Sequence, residues 1–160
     1  MPFASGPVLM YVGRGRYRTV GPTEYVGASD RISIPPDFDT DLASVPRIFW
    51  ALLPPDGTYE RAALLHDWLC ASLNRGTPVL SSTDTDGLFR RVARESGTGF
   101  VSRWLLWMGV RWGALFNPAR RAGWLRTAPG VLGISAVLLA VLLAALIGVH
   151  LAVSAVLGAL

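Results

Sequence analysis

The sequence has little cysteine and no lysine. Cys70 is the one cysteine among 160 residues, and all fifteen basic residues are arginine. A single cysteine excludes an internal disulfide and a zinc site built from several cysteines, and it is compatible with a reducing compartment. The absence of lysine is explained more readily by a GC-rich genome than by a catalytic or binding mechanism.

The C-terminal stretch from Ala128 to Leu160 lacks charged residues altogether. A helix needs about 20 apolar residues to cross a hydrocarbon core about 30 Å thick, so this stretch is long enough for one span but too short for two. We therefore predict one transmembrane helix over residues 130–155, apolar to 160, that anchors the chain by its tail.

The basic residues near this stretch predict its orientation. Five arginines follow the last acidic residue, Glu95; they are Arg103, Arg111, Arg120, Arg121 and Arg126. This bias predicts a single-pass protein of the bacterial inner membrane with a cytoplasmic N-terminal domain. The first residues also lack the basic start and apolar centre of a secretory signal. The expected partner of a basic juxtamembrane linker over 118–129 is anionic lipid, and nucleic acid is not expected.

The remaining residues predict an α+β domain over 1–117, with a small antiparallel β-sheet followed by three helices. PVLMYVG, RYRTV and RISIPPDF have strand composition and turn residues between them. Apolar residues then recur at helical spacing in TYERAALLHDWLCASLN, and helices are also expected at SSTDTDGLFRRVARESG and FVSRWLLWMGVRWGALF. The aromatic third helix favours core packing over a position in the membrane interface.

Four polar residues stand out from their apolar surroundings: Asp41, His66, Asp67 and Asp86. Consecutive helical residues point about 100° apart, so His66 and Asp67 can border one cleft. Asp86 from the next helix could then orient His66 as a general base. Asp67 and Asp41 would supply oxygen ligands to calcium or another divalent metal.

Each of these residues also has a structural interpretation, and both interpretations stay open at this point. His66 could bond a backbone carbonyl, and Asp67 could be exposed. Asp86 follows Thr83 at the spacing of a capping box. Asp41 could cap the following segment or brace the loop against Arg47.

The string FDTDLASVPRIFWALLPPDGTYERAALLHDWLC, with the later TDTDGLFRRVARESG and WGALF, resembles the phage and prophage family called domain of unknown function 1353. The resemblance covers about residues 10–117. The family's Thr-Asp-(Leu/Phe)-Ala-Ser-(Val/Ile)-Pro-Arg loop falls on Thr40–Arg47, its Ala-Ala-x-x-His-Asp motif on Ala62–Asp67, and its acidic residue on Asp86, ahead of Phe89. The resemblance implies a phage or prophage setting. The membrane tail lies outside the residues that the resemblance covers.

The order of His66, Asp67 and Asp86 is also similar to that in phospholipase A2 enzymes. There the His is the general base, its neighbouring Asp binds calcium, and a later carboxylate orients the His. This chain lacks their glycine-rich calcium loop and their disulfides. Two hypotheses follow: a metal-assisted hydrolase at the membrane, or a non-enzymatic phage membrane protein that acts in lysis, superinfection exclusion or assembly through contacts with a phage or host membrane protein.

Overall fold

A computed structural model describes residues 3–4, 6–27, 30–42, 53 and 57–158. The strands come first; they are β1 (Leu9–Gly13), β2 (Arg16–Thr19), β3 (Thr23–Val26), β4 (Arg31–Ile34) and β5 (Asp39–Thr40). The helices follow; they are α1 (Glu60–Asn74), α2 (Ser82–Glu95), α3 (Phe100–Phe116) and α4 (Trp124–Gly158). The predicted α+β class, with antiparallel strands before three helices and a long apolar fourth, is confirmed.

The strands form two small antiparallel sheets rather than the single sheet predicted, in the orders β1-β2-β5 and β3-β4. β1 and β2 are joined by a tight turn in which Gly13, Arg14 and Gly15 all have positive φ. In the first sheet Tyr17 pairs with Thr40. Thr40 is buried while Asp41, directly after it, is exposed. β5 packs against α1. Thr40 and the residue after it, Asp41, therefore lie beside that helix.

The main core joins the β3-β4 sheet to α1 and α2. Its most buried members include Tyr25, Ile32, Ile34, Leu64, Leu65, Leu69, Leu88, Phe89 and Val92. The N-cap of α2 is Ser81, whose hydroxyl accepts a hydrogen bond from the Asp84 backbone at 3.1 Å. Asp86 is therefore not the acid of a capping box with Thr83. It lies further along α2, on the face turned to the core.

α4 packs on α3 through its first turns and then leaves the domain. Trp124, Ala128 and Val131 form a second core cluster with Trp107 of α3. From 139 to 158 every described residue is exposed. α4 is long and apolar enough to cross a membrane. It already begins at Trp124, so part of the stretch 118–129, expected as a linker, is helical and packed.

Candidate functional site

The site centres on the carboxylate of Asp86, which is 0% exposed. Its Oδ1 lies 2.7 Å from Nε2 of His66 and accepts a hydrogen bond from Nη2 of Arg120, also at 2.7 Å. Its Oδ2 accepts from Nη1 of Arg111 at 2.8 Å. We call these four residues the Asp86 cluster. One buried carboxylate thus joins two guanidinium groups and one imidazole.

Each member of the Asp86 cluster comes from a different part of the fold. His66 lies on the buried face of α1, about one turn before the buried Leu69. Asp86 lies on the buried face of α2. Arg111 is buried on α3 four residues after Trp107. Arg120 sits in the connection between α3 and α4, where its backbone N–H donates to the Asn117 carbonyl at 2.9 Å. The cluster therefore ties α4 to the family-like part of the chain.

The charges of the cluster fix its protonation. Burial opposes the ionisation of Asp86, but the hydrogen bond with His66 and the two arginines hold the pKa of this carboxyl below its ordinary value. Burial lowers the pKa of His66, against the opposing effect of Asp86. The imidazole is therefore neutral at neutral pH. Its Nε2–H donates to Asp86, which leaves Nδ1 as a proton acceptor.

Cys70 lies one turn after His66, with its sulfur 3.7 Å from Nδ1 and 3.5 Å from Nε2. A cysteine beside a histidine is the arrangement of a cysteine nucleophile, which reacts as the thiolate. Burial raises the pKa of the Cys70 thiol to about 12. The thiol is therefore protonated at neutral pH, so Cys70 is not present as the thiolate that a cysteine nucleophile requires.

Asp67 faces β5, beside the Asp86 cluster. Its Oδ2 accepts a hydrogen bond of 2.5 Å from the hydroxyl of Thr40. Burial is the main cause that raises the pKa of Asp67 to about 7; the Thr40 hydrogen bond opposes it, and the adjacent carboxyl of Asp41 adds to it. Asp41 and Asp67, the two residues predicted to bind a metal, thus lie side by side.

In the part of the chain that the structure describes, few side chains are placed to bind the predicted metal ion. No group of three or more His, Cys, Asp and Glu residues there is arranged to hold a metal ion. Two carboxyl groups, those of Asp41 and Asp67, are brought together. The predicted brace between Asp41 and Arg47, and the loop motif from 43 to 47, lie outside the described residues.

Replacing Asp67 by Asn is expected to raise the thermal unfolding midpoint by several degrees at pH 8 and to leave it unchanged below pH 3.8. The pKa of Asp67 in the folded chain, about 7, exceeds the ordinary 3.8. The stability that its protonated form contributes is complete below pH 3.8 and is lost as the pH rises through 7. Asn has no proton to lose. Differential scanning fluorimetry in detergent with a chelator measures this, and identical pH profiles for both chains would contradict the assignment.

Sequence reasoning missed two of the four cluster residues, because Arg111 and Arg120 were assigned to lipid. Both are buried on Asp86, so neither is available to a membrane surface, while Arg121 and Arg126 are exposed. A signal was present for Arg111, which follows Trp107 by one helical turn and has apolar residues or glycine on both sides from 104 to 116. Charged residues at such positions are rarely buried unless they are paired.

The chain was compared with known proteins. A family model described as "Protein of unknown function (DUF1353)" matches residues 17–110. No curated protein and no solved structure matches. The matched range contains His66, Asp67 and Asp86, and it ends one residue before Arg111.

Proposed function

The chain belongs to the Protein of unknown function (DUF1353) family, and this membership does not indicate a function. From its site we propose that it is a membrane-attached hydrolase of carboxylic esters in lipids. The resemblance noted from the motifs is thereby confirmed for the family, while the phage or prophage setting and the inner-membrane location are part of the proposal. The observation that carries it is the 2.7 Å contact between His66 Nε2 and Asp86 Oδ1, which leaves His66 Nδ1 to act on water.

The proposed reaction uses His66 as general base and then as general acid. Nδ1 takes a proton from water as the oxygen attacks the ester carbonyl, and the resulting tetrahedral intermediate expels the alcohol, which receives that proton from Nδ1. Asp86 remains ionised and stabilises the imidazolium that forms between the two steps. Arg111 and Arg120 hold Asp86 in position, so they are positioning residues rather than catalytic ones.

The proposal includes a divalent cation, calcium in the first instance, beside this base. Asp67 and Asp41 would hold it, because two adjacent carboxyl groups whose proximity raises a pKa form an oxygen pair that a cation neutralises. Backbone carbonyls and water would complete its ligands. When bound, the cation supplies Lewis-acid stabilisation of the developing oxyanion.

The proposal is tested with the purified full chain in neutral detergent micelles that contain an ester phospholipid. We expect release of fatty acid in the presence of calcium, and loss of that release on chelation. Calcium should also raise the unfolding midpoint of the native chain at pH 8 but not that of Asp67→Asn, whose carboxylate is missing. Absence of fatty-acid release with calcium, magnesium and manganese in turn would refute an ester hydrolase.

One observation favours the second candidate, a non-enzymatic membrane protein that acts through protein contacts. The Asp86 cluster is a fully buried polar network that connects α1, α2 and α3 with the start of α4. Such a network can specify how α4 leaves the domain without any chemistry. This candidate predicts that loss of His66 unfolds the chain, whereas the hydrolase predicts a folded and inactive one.

A further inference from the structure

A second polar feature lies away from the Asp86 cluster. A groove of about 860 Å³ runs between α2 and α3 and reaches Thr127 of α4. Four arginines line it, together with three aromatic residues; they are Arg90, Arg91, Arg94, Arg103, Phe100, Trp104 and Trp107. None of these residues takes part in the proposed reaction.

The positive charge of this groove exceeds its negative charge. Two carboxylates, those of Asp30 and Asp84, also line the groove, and Arg91 lies 3.6 Å from the carboxylate of Asp30. Arg90 lies 3.9 Å over the ring of Trp104, and Arg103 lies 5.0 Å over Phe100. An arginine over an aromatic ring keeps its full charge and its outward donors. Arg90, Arg94 and Arg103 thus present guanidinium groups to one space.

The groove extends along α2 and α3 from Thr127, near the start of α4, to Phe100, at the end of the domain toward which α4 extends. α3 and α4 form a hairpin across residues 117–123, in which Trp124 donates to the Arg111 carbonyl and Ser135 donates to the sulfur of Met108. α3 therefore runs opposite to α4, and its first turn lies beside the stretch where α4 loses contact with the domain. Phe100 and Val101 in that turn are 65% and 63% exposed.

We propose that Arg90, Arg94 and Arg103 bind the phosphate of an anionic phospholipid headgroup where α4 enters the bilayer. Guanidinium groups bind phosphate oxygens in bidentate pairs. Tryptophan and arginine both favour the headgroup layer, and Phe100 and Val101 are placed to contact the acyl region next to it. This inference rests on the membrane attachment proposed above, but not on ester hydrolysis.

The test uses the full chain in neutral detergent, titrated with short-chain ether lipids that no esterase can cleave. Ether-linked phosphatidylglycerol is expected to bind at least tenfold more tightly than ether-linked phosphatidylcholine or inorganic phosphate. The double variant Arg90→Gln/Arg94→Gln should bind phosphatidylglycerol roughly 30-fold more weakly, at about fivefold for each arginine near an anionic headgroup. Arg103→Gln, which leaves the Arg90 and Trp104 stack intact, should weaken binding roughly fivefold.

The matched control is Arg14→Gln/Arg16→Gln, which removes the same charge from exposed positions at the β1-β2 turn, outside the groove. It is expected to leave phosphatidylglycerol affinity unchanged. Equal losses in the two double variants would overturn the site, because net charge alone would then explain binding. Equal affinity for phosphatidylglycerol and inorganic phosphate would also overturn it, in favour of a site for a soluble anion. Because no lipid is turned over, failure of the hydrolase would not change either result.

Discussion

Replacing Asp86 by Asn is expected to lower the free energy of unfolding by about 3–5 kcal/mol at pH 7. The carboxylate is 0% exposed and balances two buried arginines, Arg111 and Arg120. The amide keeps the shape of the side chain but removes its charge, so both guanidinium groups are left without a counter-charge. For a chain of this length the unfolding midpoint should fall by about 10 °C or more.

The matched control is Asp39→Asn, which also breaks an ion pair with an arginine. Asp39 pairs with Arg18 at 2.6 Å, but both side chains are well exposed, so we expect a much smaller loss than for Asp86→Asn. Thermal unfolding in detergent compares the two variants. Similar losses would show that the buried pairs add nothing beyond a surface contact.

The effect of Asp86→Asn should also depend on pH in a definite direction. The pKa of Asp86 is held below its ordinary 3.8. The stability that its ionised form contributes is therefore complete above pH 3.8 and is lost as the pH falls through the lower value of the folded chain. The difference between native and variant midpoints should shrink only in strong acid.

The architecture could be predicted from local patterns because each element carries its own signal. Alternation and turn residues mark the strands, and three- and four-residue spacing marks the helices. The division of the strands into two sheets could not be predicted. Pairing of β2 with β5 brings Tyr17 to Thr40 across more than twenty residues, and no local pattern encodes that partner.

The site was predictable in part for the same reason. His66 and Asp86 stood out because each is polar within an apolar helical face, and the structure places them in contact. Arg111 and Arg120 carry charges that composition assigned to a membrane surface, since a sequence counts charge but not burial. Arg111 reaches Asp86 because α3 packs on α2, and Arg120 reaches it because the chain turns back after α3. Both are tertiary features. The outcome also bears on orientation, because two of the five arginines that supported the cytoplasmic prediction are internal.

Replacing His66 by Gln is expected to lower the rate of ester hydrolysis by about 10²–10⁴-fold while the chain stays folded. The glutamine amide can donate to Asp86 as Nε2–H does, but it cannot accept a proton from water as Nδ1 does. Because burial lowers the pKa of His66 from its ordinary 6.5, the imidazole of the native chain stays neutral somewhat below that pH. At saturating calcium, which keeps Asp67 ionised, the rate of the native chain should therefore begin to fall only below pH 6.5.

Cys70→Ser is the control for His66→Gln, since it changes a neighbour of the same ring without removing the base. The thiol is protonated at neutral pH, with a pKa of about 12, so this variant should keep the native rate. A loss in Cys70→Ser as large as in His66→Gln would indicate a nucleophilic sulfur instead of an activated water. If His66→Gln unfolds the chain and the native protein releases no fatty acid, the Asp86 cluster is structural, and the function lies in the contacts that α4 and its domain make.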